Sequence, residues 1–179
     1  MNHLLGTMLS MVFLVQSSSA MEVEWTYKDW KVTRHDNSQM ISYSSHGDVV
    51  WGREFGFSKH KGDCDNDTLL MYWSSENSKI STLKGRELPM LFQVDNTRFG
   101  LNAPLVSTAE LTPNTLIMIL SYIKATPTLV ELLSKGQNID VSVLYPDVFT
   151  QENDITRDSF SLNGFTASRL KAQEYCQQL

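Results

Sequence analysis

Apolar residues at every second position restrict the fold of this chain more than any other feature of its sequence. Val23, Trp25 and Tyr27 alternate with polar residues, and short runs of β-branched and aromatic residues recur through residues 23–95, bounded by Gly, Ser, Asn and Asp. Alternation with period two is typical of strands that bury one face. Several strands spaced about ten residues apart predict a mainly β domain, an antiparallel β-sandwich or barrel.

The same pattern gives approximate strand positions along the chain. Residues 115–124 are apolar enough for a buried helix or a strand, and we favour a strand. The other expected strands cover residues 23–27, 30–33, 40–44, 49–51, 69–73, 91–94, 139–143 and 160–162.

Two helices are expected in the second half. Thr126 is suited to cap a helix, Pro127 suits its first position, and Gly136 ends it, which predicts a short helix near residues 127–135. A second helix is expected near residues 166–178, because apolar and small residues recur on one of its sides.

The N-terminal twenty residues are typical of a secretory signal. Residues 4–15 are apolar, a polar stretch follows, and the small residues Ser18 and Ala20 suit signal peptidase. We expect cleavage between Ala20 and Met21, leaving a single domain over residues 21–179. The apolar run is shorter than the roughly 18–20 residues that span a bilayer, which argues against a transmembrane anchor. Cleavage would remove this run, and no stable membrane insertion is expected afterwards. The predicted location is the periplasm or the exterior.

An exported chain with two cysteines is expected to oxidise them. We predict a disulfide between Cys64 and Cys176. It would close a loop of about 110 residues, which chain-entropy estimates value at about 4–5 kcal/mol.

The charge pattern argues against nucleic acid as a partner. The formal net charge is −5, and the densest basic cluster, residues 59–61, is followed at once by three aspartates. Nucleic acids are bound through clustered Lys and Arg, so we predict no nucleic-acid partner.

Those aspartates, Asp63, Asp65 and Asp67, have the alternate spacing of the first ligands in an EF-hand loop. The sixth position is Thr68 where Gly is needed, and the twelfth is Ser74 where Glu is needed. We therefore interpret the segment as a solvated acidic turn that carries the disulfide, and predict no metal site and no cofactor.

Catalytic motifs are weak in this sequence. His46 lies near Asp48, and Ser44 and Ser45 precede it, so a general base and a nucleophile are conceivable there. The sequence contains no nucleophile elbow, zinc motif, Walker loop or dinucleotide fingerprint. We interpret the histidines that follow the signal as exposed turn residues and predict no catalytic residues; they are His35, His46 and His60.

The tryptophans could form a binding platform, but large aromatic residues on half-buried strands usually belong to the core. We therefore expect core positions for Trp25, Trp30, Trp51 and Trp73.

The C-terminal third contains the run LLSKGQNIDVSV at residues 132–143 and the run FSLNGFTA at residues 160–167. In these two runs the chain resembles the invasion-associated locus B family. Trp30-Lys31-Val32 resembles the opening tryptophan strand of that family, and residues 70–72 and 92–95 are compatible with its middle. Family members commonly carry two cysteines after the opening strand, and this chain has none over residues 33–45.

The resemblance implies a mainly β, non-enzymatic protein that is periplasmic or secreted by Gram-negative bacteria, with no catalytic residues to carry over. We favour an accessory protein that binds another protein or an envelope component and acts at the cell envelope or in host interaction. An alternative is an immunity or inhibitor protein that acts against an envelope-targeting enzyme, with a protruding loop such as residues 56–67 as its inhibitory element. A second alternative is a secreted hydrolase that uses His46 or His60.

Overall fold

Ten strands make one antiparallel sheet in the computed structural model, which describes residues 22–35, 38–144 and 155–179. The order of strands in the sheet is β1-β2-β3-β4-β5-β8-β7-β6-β9-β10, and the sheet is not closed into a barrel. The strands are β1 (Glu22–Tyr27), β2 (Trp30–His35), β3 (Met40–His46), β4 (Glu54–His60), β5 (Asp63–Ser75), β6 (Glu87–Val94), β7 (Thr97–Thr112), β8 (Thr115–Lys124), β9 (Asn138–Val143) and β10 (Arg157–Ser161). The helices are a 3₁₀ turn at Ser78–Leu83, α1 (Pro127–Lys135) and α2 (Phe165–Gln177).

The sheet folds over so that its two halves face each other across the core. Strands β1 to β5 form an antiparallel meander, whereas β6, β9 and β10 belong to the other half. The ring of Phe55 in β4 lies 6.4 Å from that of Phe92 in β6 and 5.8 Å from that of Phe160 in β10. The period-two apolar residues of the sequence therefore supply the facing sides of a sandwich-like core.

Helix α2 covers the core beside β2 and β3. Its first residue, Phe165, packs edge-on against Trp30 at 5.2 Å and against Phe57 at 5.9 Å. The Cys64–Cys176 disulfide is present, with Cα atoms 5.6 Å apart, and it joins the start of β5 to the last turn of α2.

A buried ionic cluster lies at the same junction. Asp67 accepts hydrogen bonds from Tyr43 at 2.7 Å and from Arg169 of α2 at 2.7 Å, and Lys59 Nζ lies 2.6 Å from its Oδ1. Burial raises the pKa of Tyr43 well above its ordinary value, and the nearby Asp67 carboxylate acts in the same direction. Burial lowers the pKa of Lys59, against the opposing effect of Asp67. The helix is thus held to the sheet by the disulfide and by the partly buried Arg169–Asp67 ion pair.

The mainly β prediction is confirmed, and so are the strand at residues 115–124 and both helices. The Thr126 side chain accepts a hydrogen bond from the Leu129 amide, and Pro127 begins α1 as the sequence indicates. Helix α2 begins one residue before its predicted start. The barrel alternative is wrong, because the end strands β1 and β10 are not paired with each other.

Two other predictions are wrong. Residues 49–51 form a bend and a turn, not a strand, because the Asp158 carboxylate accepts the backbone amides of Val49 and Val50. Residues 56–67 are not a protruding loop, because β4 runs to His60 and β5 begins at Asp63. Phe57 and Lys59 are fully buried there, so these residues do not form the inhibitory loop that was expected of them.

The predicted signal and its cleavage between Ala20 and Met21 lie outside the described residues. Within the described ranges, no helix combines the length and the hydropathy needed to cross a bilayer.

Candidate functional site

The loop between β3 and β4, residues 47–53, places a large apolar side chain in solvent. We name it the Trp51 loop. Trp51 is 75% exposed and Val49 is 56% exposed, and Ile155 beside them is also exposed. Exposed apolar groups that cluster in this way mark surfaces that bind other molecules more often than isolated ones do.

A buried carboxylate fixes the backbone of the Trp51 loop. Asp158 of β10 is fully buried, and its two oxygens accept the amides of Val49 at 2.9 Å and Val50 at 3.1 Å. Gly47 is needed for this approach, because a Cβ at that position would lie 2.8 Å from the Asp158 carboxyl carbon. The loop is therefore held by charge-assisted hydrogen bonds from the opposite half of the sheet.

The last residue of the loop, Arg53, is buried beneath it. Its guanidinium donates to the carbonyls of Ser74 at 3.2 Å and Ile155 at 2.6 Å, and it lies 3.9 Å from the centre of the Trp73 ring. Arg53 Nη1 is 3.6 Å from Asp158 Oδ2, so two buried opposite charges lie under an exposed tryptophan. The buried Arg53 and Asp158 side chains therefore restrict the loop from beneath and do not occupy its outer surface.

Trp51 stands between two surface depressions. One, of about 350 Å³, includes Val49 and Ile155; the other, of about 280 Å³, includes Tyr72 and Glu54. We name the second one the outer-face groove, because its strand residues point away from the core by the alternation of β2, β3, β4 and β5.

Glu54 organises the polar floor of the outer-face groove. It accepts hydrogen bonds from Lys31 Nζ and from Ser44 Oγ, each at 2.7 Å, and its Oε1 lies 3.6 Å from Nδ1 of His46. Beside it, His35 Nε2 is 2.8 Å from Ser42 Oγ. Burial lowers the pKa of His35, with Lys31 acting in the same direction and Glu54 opposing it. Burial raises the pKa of Tyr72, so its phenol remains a proton donor.

The arrangement of Ser44, His46 and Glu54 differs from that of a hydrolytic triad. Ser44 and His46 both contact the carboxylate of Glu54, which therefore lies between them. In a triad the histidine lies between the nucleophile and the carboxylate. Ser44 is also buried, and Ser45 faces the core side of β3. His60 is exposed, and its Nε2 lies 3.3 Å from Ser58 Oγ.

The expectation that all three histidines occupy exposed turns is wrong in part. His35 is half-buried and ends β2, and His46 and His60 end β3 and β4. The carboxylate near His46 is Glu54 rather than Asp48.

The three aspartates have separate partners, and only part of the solvated-turn interpretation holds. Asp63 lies 3.1 Å from Lys124 Nζ, Asp65 accepts a hydrogen bond from Gln173, and Asp67 is buried in the ionic cluster. Over residues 22–35, 38–144 and 155–179, no three His, Cys, Asp or Glu side chains form a group that could hold a metal ion.

The four tryptophans divide into two kinds. Trp30 and Trp73 are fully buried and Trp25 packs against the core, as expected, whereas Trp51 is the exception. No local sequence pattern points to Arg53 or Asp158, because their roles depend on each other across the two halves of the sheet. Glu54 could have been found from the hairpin register, which sets it opposite His46, had β4 been recognised.

No protein-family model matches the sequence, and no curated protein matches it. The fold is similar to the crystal structure of invasion associated protein B from Bartonella henselae, with a TM-score of 0.52 and 15% sequence identity. The match covers 90% of this chain and 100% of that chain. At this identity the likeness shows the fold alone, in agreement with the fold that the resemblance implied.

Proposed function

We propose that this chain is a non-enzymatic accessory protein of the periplasm or the exterior that binds an envelope or host-surface component through the Trp51 loop. The observation that carries the proposal is the 75% exposure of Trp51 on a loop fixed by buried Asp158 and Arg53. Trp is enriched among the residues that dominate binding energies. A rigid aromatic residue also loses little conformational entropy on binding, which favours affinity.

Three further observations support this proposal. The disulfide suits an oxidising compartment. The fold is similar to that of a protein whose name associates it with invasion. Ser44 is buried and donates to a carboxylate, so it is poorly placed to attack a substrate.

Site-specific photocrosslinking in the native cell tests the proposal. A photoreactive amino acid replaces Val49, which is 56% exposed beside Trp51, and in a matched control it replaces Leu170, which is 57% exposed on α2. We expect a discrete adduct from position 49 and none from position 170. The absence of an adduct at position 49, or the same adduct at both positions, would contradict the proposal.

A further inference from the structure

The outer-face groove has a polar side that is already in place before any ligand arrives. The Lys31 ammonium donates to one oxygen of Glu54 and the Ser44 hydroxyl to the other, and the Glu54 side chain is only 18% exposed. Next to Glu54, the Ser42 hydroxyl and the His35 ring form a hydrogen bond with each other. Fixed donors and acceptors of this kind give a small-molecule site its orientation and specificity.

The opposite side of the groove is aromatic and aliphatic. Trp51 lines this side together with Tyr72, Leu111 and Ile117. Gly52 has a φ of +83°, and a Cβ there would lie 2.6 Å from Leu111 Cδ2, so the loop packs closely on β7. Glycine at position 52 therefore lets Trp51 lie at the rim of the groove.

The charge balance of the groove narrows the class of ligand. Lys31 and Glu54 form an ion pair, and the lowered pKa of His35 keeps that ring neutral near pH 7. A charged ligand would attract one member of the pair and repel the other. A neutral molecule with many hydroxyl groups can accept from Lys31 and Tyr72 and donate to Glu54 at once.

The size and the aromatic wall of the groove restrict the class of ligand further. Its volume of about 280 Å³ lies just below the usual range for drug-sized ligands and suits one compact ring. An aromatic ring with a negative face stacks well on the C–H face of a saturated ring. Pyranose sugars combine such a C–H face with a rim of hydroxyl groups.

We infer that the outer-face groove binds a neutral pyranose unit of a glycan, with Trp51 stacked on the sugar ring and Glu54, Lys31 and Tyr72 bonded to its hydroxyl groups. This inference rests on the proposed function, because it names the chemical class that the Trp51 loop recognises. The glycan is a polysaccharide of the bacterial envelope or a saccharide at a host surface, and both sources share this chemistry.

Calorimetric titration of the exported protein tests the inference. The probes are glucose, galactose, mannose and N-acetylglucosamine. Two further assays distinguish the two sources of glycan: co-sedimentation with isolated peptidoglycan sacculi and capture on beads that carry a mucin-type glycoprotein. For a single sugar we expect a dissociation constant of about 1 mM or weaker, given its few non-hydrogen atoms. Trp51→Ala should weaken binding at least about tenfold, and Tyr72→Phe by about two- to tenfold through loss of one hydrogen bond.

Trp25→Ala is the matched control, because Trp25 stacks on Tyr27 in β1 and does not line the groove. It should leave binding within about twofold of the parent protein. Failure of every saccharide to bind, or binding that Trp51→Ala leaves unchanged, would overturn the inference. If position 49 still crosslinks a component while no saccharide binds, the inference fails and the proposed function stands.

Discussion

Asp158 shows how one buried residue controls a distant surface. It accepts the amides of Val49 and Val50 and neutralises Arg53, although it lies more than a hundred residues away along the chain. The three consecutive apolar residues at 49–51 are typical of a strand. The residue that bends them into a loop is Asp158, and no local sequence pattern can identify so distant a partner. A local pattern therefore predicts a strand at residues 49–51, whereas the contacts with Asp158 make the segment a loop.

We expect Asp158→Ala to lower the free energy of unfolding by about 3–5 kcal/mol, because the variant leaves the Arg53 charge buried without its carboxylate. The measurement is urea denaturation at neutral pH. Asp140→Ala is the control: it breaks a 2.7 Å pair with Arg157 whose arginine side chain is 64% exposed, and should cost about 0–1 kcal/mol. Similar losses in both variants would contradict the role given to Asp158.

His35 makes stability depend on pH. Burial lowers its pKa in the folded state, so below about pH 6.5 the unfolded chain binds a proton more readily than the folded chain does. Its contribution is therefore fully present above pH 6.5 and is lost as the pH falls toward the folded pKa. Denaturation midpoints measured from pH 7.5 to pH 5 should decline less in His35→Gln than in the parent protein. The exposed His60→Gln is the control; an unaltered slope in His35→Gln would show the interpretation to be wrong.

At the scale of elements, the sequence predicts those helices and strands that are determined by residues close to each other in the chain. The cap and first residue of α1 and the period-two strand β9 depend on neighbouring residues, and both were found. Strand β4 was missed because Lys59 points into the core, where Asp67 compensates its charge, whereas a lysine in a sequence is read as exposed. Strand β7 was missed because many of its sixteen residues remain exposed or half-buried, so its alternation is weak.

Strand β4 depends on Gly56. A Cβ at this position would lie 2.2 Å from the Tyr43 carbonyl oxygen and 2.6 Å from Ser44 Cβ in the neighbouring strand. We expect Gly56→Ala to destabilise the protein by more than about 2 kcal/mol through forced separation of β3 and β4. Gly100→Ala in β7 is the matched control, since its nearest neighbour, Met90 O, is 3.6 Å away. Equal melting temperatures for the two variants would refute the steric argument.

The link between β5 and α2 is covalent, and its removal should be measurable. Cys176→Ser should lower the melting temperature by more than about 5 °C, because loss of a native disulfide in a small secreted domain costs about 2–5 kcal/mol. Gln178→Ser, two residues away, should change it little. The unreduced protein should show no free thiol under denaturing conditions, and two titratable thiols would contradict the bond.

At the scale of the whole molecule, export predicts a defined N-terminus for the exported chain. We predict that the protein recovered from the periplasm or the medium begins at Met21. Intact-mass measurement of the exported chain checks this, and a full-length chain in the cytosol would contradict it. Export would also place the chain in a compartment in which the Cys64–Cys176 disulfide is stable.

The order of strands has a consequence for the kinetics of folding. Strand β5 pairs with β8 through residues that lie roughly 40 to 60 positions apart in the sequence, with the β6–β7 hairpin between them. Closing such a loop lowers the entropy of the chain before the β5–β8 contacts form and offset this loss. We therefore expect folding on a timescale of milliseconds to seconds. Until β8 arrives, β5 has one unpaired edge rich in Leu, Met and Trp, and an edge of that kind recruits strands from other chains. The interval before the β5–β8 pairing is therefore the period in which this chain is most exposed to aggregation.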